Sequence, residues 1–225
     1  MIGTIVNFAA ISIAGVLGLI IKGGIPERIN KTIMNAAALA VIIIGVSGSL
    51  KGDNTLLMVI SLAIGALFGE IIDIDNLINL LANKIEARFS KLGNSNFAQG
   101  FITSTLLFCV GSMAIVGSLN SGLAGDYELL YTKSVLDGIS SFVFASTLGV
   151  GVIFSSIPVL IYQGIITLSA SLISGILSTA VIAEVSAVGS VLIMALGFNM
   201  LGITKIKVAN ILPSLLIPVL YMTLF

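Results

Sequence analysis

No charged residue occurs between Met1 and Ile21, and apolar runs of similar length recur along the chain to Phe225. A hydrocarbon core of ~30 Å is crossed by ~20 apolar residues in a helix. An open chain at that depth must satisfy its backbone N–H and C=O groups internally, which helices do and lipid-exposed loops do not. This feature restricts the chain to an all-α, polytopic membrane helical bundle. The composition agrees, with 57% hydrophobic residues, 9% charged residues and a mean hydropathy of +1.19. A soluble domain carries about 25% charged residues. A single integral membrane domain spanning 1–225 is expected, with the lipid bilayer as its main partner. Ten basic and ten acidic residues cancel, and no basic tract offers a nucleic-acid surface.

Breaks in the apolar pattern predict about eight spans, at residues 1–21, 33–50, 55–72, 97–119, 134–154, 159–177, 181–202 and 208–225. The weakest joints are "SSIPV" near Pro158 and "SGILSTAV" near Ser178, where no charge interrupts the run. A seven-span or re-entrant arrangement is the alternative. Lys22, Arg28, Lys31, Lys84, Arg88, Lys91, Lys205 and Lys207 fall in odd-numbered loops, whereas even-numbered loops hold only Lys51 and Lys133. Cytoplasmic loops are the Lys/Arg-rich ones, so both termini are expected outside. The first run begins at Met1 with no basic residue before it and is of span length, which favours a retained span over a cleaved signal peptide.

Residues 74–92 differ from the rest. Ile74, Leu77, Ile78, Leu81, Ile85, Phe89 and Leu92 recur at helical spacing, with Lys84, Glu86, Arg88 and Lys91 largely opposite. The pattern predicts an amphipathic helix in the cytoplasmic interface or one packed on the protein's own loops. Repetition is also suggested. "IVNFAAISIAGVLGLI" then "TIMNAAALAVIIIGVSG" resembles "TLLFCVGSMAIVGSLN" then "SVLDGISSFVFASTLGVG". The offset is three spans, and an odd offset makes an inverted-topology repeat.

Catalytic readings meet missing residues. The chain has no histidine, which removes H-E-x-x-H zinc chemistry and a Ser–His pair. The single Cys109 rules out a disulfide framework and a cysteine metal site. An aspartyl dyad needs two neighbouring carboxylates; Asp137 is the one aspartate inside a predicted span, with Glu184 the carboxylate that could in principle partner it. No enzyme, cofactor or metal is expected.

Polar residues at membrane depth are functional candidates. The fifth span carries Asp137 and Ser141, followed by Ala145 and Gly149 on the same small face; the sixth carries a stripe that includes Gln163 and Thr167. The seventh carries Glu184 and Asn199, and the eighth carries Asn210 with Pro213 and Pro218. Two prolines in one span predict an interrupted helix, a feature of transport sites. Asp137 and Glu184 would hold a cation or proton, and Ser141, Gln163, Thr167, Asn199 and Asn210 would add neutral hydrogen bonds. The plainer readings are that the small face packs helices closely, that the hydroxyls bond their own backbone, and that the two carboxylates sit at helix N-termini.

The run "FCVGSMAIVGSLNSGLAGDYELLYTKSVLDGISSFVFASTLGVGV", with "PVLIYQG", "EVSAVGSVLIMALGFNMLGI" and "VANILPSLL", resembles the YdfK/YqgA family of bacterial membrane proteins. "IGTIVNFAAISIAGVLG" and "IPERINKTIM" match the same family's N-terminal pattern, so the resemblance covers nearly the whole chain. Positions that carry it include Asn7, Asp137, Gly138, Gln163, Gly164, Glu184, Asn199, Asn210 and Pro213. The resemblance implies a multi-span protein of the bacterial inner membrane, often given a transport label, and supplies neither a substrate nor catalytic residues. A small-solute or ion transporter or facilitator is the expected function. The alternatives are a non-transporting scaffold or sensor and a channel-like oligomer. A homo-oligomer, with a dimer favoured, is the expected assembly.

Overall fold

The computed structural model describes residues 1–22, 26–80, 97–110 and 112–224. Every regular element among them is helical. The order is α1 (Ile2–Lys22), α2 (Glu27–Ser49), α3 (Thr55–Ile72), α4 (Phe97–Val110), α5 (Ser112–Leu123), α6 (Glu128–Leu148), α7 (Gly151–Phe154), α8 (Ser156–Leu168), α9 (Ala170–Ile173), α10 (Thr179–Met200), α11 (Val208–Ile211), a 3-10 turn (Leu212–Leu215) and α12 (Leu216–Leu224). Five stretches among the described residues are long and apolar enough to cross a membrane: Ile2–Ile21, Arg28–Ser49, Thr55–Ile72, Gly151–Leu168 and Thr179–Met200. The α4–α5 pair, bent by 56°, makes a sixth when taken as one span.

The radial pattern is that of a bundle in lipid. Ile13, Ile20, Leu39, Ile43, Leu67 and Ile71 point outward and exposed, whereas Thr4, Asn7, Ser61, Ser104, Ser141 and Gln163 are fully buried. Lipid tails are as apolar as leucine, so helix association depends on close packing and small residues rather than on burial of oil from water. α1 runs parallel to α6, with Gly3 against Leu130 and Gly18 against the Phe142 backbone. A Cβ at Gly18 would meet the Phe142 carbonyl oxygen, so only glycine permits that approach. α2 lies antiparallel to the central helix α10, with Gly45 on the Met194 backbone and Gly48 on Ser190. α3 lies antiparallel to the final broken helix, with Gly65 at Ser214 and Gly69 at the Asn210 carbonyl.

Several boundaries differ from the sequence expectation. The fifth predicted span, α6, ends at Leu148 rather than 154, because Gly149 takes φ +87° and turns the chain while its N–H caps the Ala145 carbonyl. The sixth begins at Gly151 rather than 159 and ends at Leu168 rather than 177. Pro158 lies in the first turn of α8, where its missing N–H costs nothing. The joint at Ser178 is present, and its Oγ accepts the Val181 N–H at 3.3 Å to cap α10. The fourth predicted span is the bent α4–α5 pair. The eighth is interrupted at Pro213 by the 3-10 turn, while Pro218 lies in the first turn of α12 and leaves it intact. Residues 74–80 are helical, and the rest of the predicted amphipathic helix, 81–92, lies outside the described residues.

Candidate functional site

α1 touches two helices that carry predicted site residues. Along α6 the packing is parallel; along α8 it is antiparallel, with the Thr4 and Thr167 hydroxyls 3.5 Å apart and Ile11 packed with Val159. Because Gln163 lies one turn before Thr167 on α8, and Asn7 about one turn beyond Thr4 on α1, the two amides stand at the same level. Phe108 of α4 joins Ile11 and Val159 in an apolar cluster beneath them.

On the α6 side, Lys133 Nζ donates to both oxygens of Asp137, at 2.8 and 2.7 Å. Asn7 Nδ2 donates to Asp137 Oδ2 at 3.0 Å. Lys133 and Asp137 are only 5% and 6% exposed. A buried carboxylate without a cation beside it is strongly unfavourable, and the spacing of one helical turn supplies the cation locally. Asp137 lies ~14 Å along α6 from Glu128, since each residue rises ~1.5 Å. It therefore does not cap its own helix, whose N-cap is Tyr127 and whose first-turn carboxylate is Glu128. One turn further, Ser141 Oγ donates to the Ile11 carbonyl at 2.8 Å, so the small face of α6 holds α1.

Gln163 is wholly buried, and neither its Nε2 nor its Oε1 has a hydrogen-bond partner among the described residues. The same holds for Asn7 Oδ1. Buried polar atoms are bonded in the great majority of cases. These three atoms therefore mark a place where something other than the described residues would complete the bonding.

The remaining predicted residues stand elsewhere. Glu184 Oε1 accepts the backbone N–H groups of Asp53 and Asn54 at 2.7 and 2.9 Å, where the chain enters α3. It thus places a carboxylate at a helix N-terminus, though of a neighbouring helix rather than its own. Asn199 binds Thr204 Oγ1 and both backbone groups of Ile206, which closes the loop after α10. Asn210 donates to Glu70 Oε2 at 2.6 Å and accepts from the Asp75 N–H at 2.7 Å. Lys207 donates to Glu70 Oε1 at 2.9 Å, and that bond and charge push its ammonium pKa up.

The fold thus joins Asp137, Ser141, Gln163 and Thr167 through α1, and places Glu184, Asn199 and Asn210 in three separate contacts. Sequence reasoning gave no site role to Thr4 and Asn7. The available signal was Asn7 itself, an amide within a charge-free run. Among the described residues no group of three or more Cys, Asp or Glu could hold a metal ion.

Residues 2–223 match a family model described as "Protein of unknown function (DUF554)". The chain is similar to the "Uncharacterized membrane protein YdfK" of Bacillus subtilis (strain 168), 40% identical over 222 residues that cover 97% of this chain and 94% of the relative. It is also similar to the "Uncharacterized protein YqgA" of Escherichia coli (strain K12), 34% identical over 221 residues, 96% of this chain and 94% of the relative. No solved structure matches the chain.

Proposed function

The chain belongs to the DUF554 family, and we propose that this helical membrane protein is a small-solute or ion transporter of a bacterial inner membrane. Its site is the junction of α1, α6 and α8. The observation that carries this reading is Gln163, buried with both amide atoms unbonded and level with Asn7, which binds Asp137 of the Lys133–Asp137 pair. Leaving a buried donor or acceptor unmet costs about 1–3 kcal/mol each. A fold that retains such groups has a use for them. The bent α4–α5 pair and the interrupted α11–α12 stretch support the same reading, because discontinuous helices recur at transport sites.

The helix directions fit eight crossings with both termini outside. Parallel α1 and α6 need an even number of crossings from one to the other, and eight crossings supply four. In this reading the first three spans pack antiparallel on the last three, each against the span five places further along.

Purified protein in liposomes tests the function. Flux of at least one solute or ion, reduced in Asp137→Asn, is the expected outcome; no flux across a broad panel would sink it. The scaffold reading draws on Ser141, whose hydroxyl holds α1 and α6 together. Labelling of single cysteines along Lys133–Gly149 by a water-soluble reagent separates the two, since a dry packing helix stays unlabelled at depth.

A further inference from the structure

We propose that the solute recognised at this junction is small and uncharged, with a hydrogen-bond donor and acceptor side by side as in a carboxamide or urea, and is not an inorganic ion. This rests on the transport reading of the same site.

The charges of the cluster are already matched. Both Asp137 oxygens accept from Lys133, at 2.8 and 2.7 Å, and Asn7 takes a further lone pair of Oδ2 at 3.0 Å. A cation would find a carboxylate held by an ammonium, and an anion would find an ammonium held by a carboxylate. Either ion would have to shed its water in a low-dielectric interior for no net charge in return. The open valences are neutral and mixed: an NH2 and a carbonyl oxygen on Gln163, and a carbonyl oxygen on Asn7. A ligand carboxamide can pair with the Gln163 amide in a closed ring, its C=O accepting from Nε2 and one N–H donating to Oε1. Its second N–H then has Asn7 Oδ1 as an acceptor at the same level. Neither an alkali cation nor a halide can use donor and acceptor together.

The full chain in proteoliposomes, probed with urea, acetamide and glycerol by stopped-flow light scattering and with Na⁺, K⁺ and Cl⁻ by ion flux, tests the assignment. Urea or acetamide should cross at least about tenfold faster than through protein-free vesicles. Gln163→Met, near in volume and without polar atoms, should return that rate to the vesicle background. Gln163→Leu should do the same, and each variant's unfolding midpoint and monodispersity report whether it is folded. Ion flux that Gln163→Met abolishes, with no urea or acetamide flux, overturns the solute class and leaves transport at this junction standing. Amide flux equal to the parent's in both folded variants moves the path elsewhere and overturns the inference. No flux of any of these probes overturns this inference, and no flux across the broader solute and ion panel removes the transport reading as well.

Discussion

At the scale of single residues, the Lys133–Asp137 pair gives the sharpest stability prediction. Removing one partner of a buried pair leaves an uncompensated charge, a loss of about 3–5 kcal/mol, whereas replacing both by apolar groups is often neutral. Lys133→Met should therefore destabilise the folded protein by about that amount, and Lys133→Met with Asp137→Leu should recover most of it. Chemical unfolding of the four proteins in detergent reads this as a double-mutant cycle; equal losses for the single and double variants would contradict it. Asp137 and Gln163 were legible in the sequence because a carboxylate and an amide are conspicuous in hydrocarbon. The partner of Asp137 on α1 was not. Asn7 lies 130 residues from Asp137, and the chain's local pattern says nothing about which distant helix an exposed-looking amide will face.

Between elements, contact is made by glycine. A Cβ at Gly69 would run into the Asn210 carbonyl, and one at Gly175 would meet nothing within 4 Å. Gly69→Ala should therefore cost about 1–3 kcal/mol, as overpacking does, while Gly175→Ala should be near neutral. Unfolding midpoints of the two variants check this, and equal midpoints would mean that α3 and α11 give way easily. Helix existence was readable from apolar length, yet helix ends were not. The limit between α6 and α7 depends on the backbone of Gly149, one glycine among 24, and no charge or proline flags it. The joint expected near Pro158 is present only as the one-residue turn at Ser155 between α7 and α8, and the proline itself breaks nothing. A proline stops a helix only beyond its first turn, and Pro158 lies within it.

For the molecule as a whole, orientation is the first prediction. A reporter fused after Lys31 should read as cytoplasmic and one fused near Asp126 as external; a cytoplasmic reading at Asp126 would break the eight-crossing arrangement. The loop charges carry this expectation, but neighbours in the bundle were hidden, since apolar helices of similar composition do not announce their partners. The parallel alignment of α1 and α6 also dictates how the protein can be made. Four helices apart in sequence, these two cannot meet until the ribosome has produced everything up to Leu148. At about 5–20 residues per second, the 126 residues that separate Lys22 from Leu148 take about 6–25 s to synthesise. For most of that interval, until Asp137 is made, Asn7 has no carboxylate to bind, and α1 waits in the bilayer as an unfinished surface. Nascent chains halted before Glu128 should for that reason be the ones that membrane quality control removes, and chains halted after Gly149 the ones that survive.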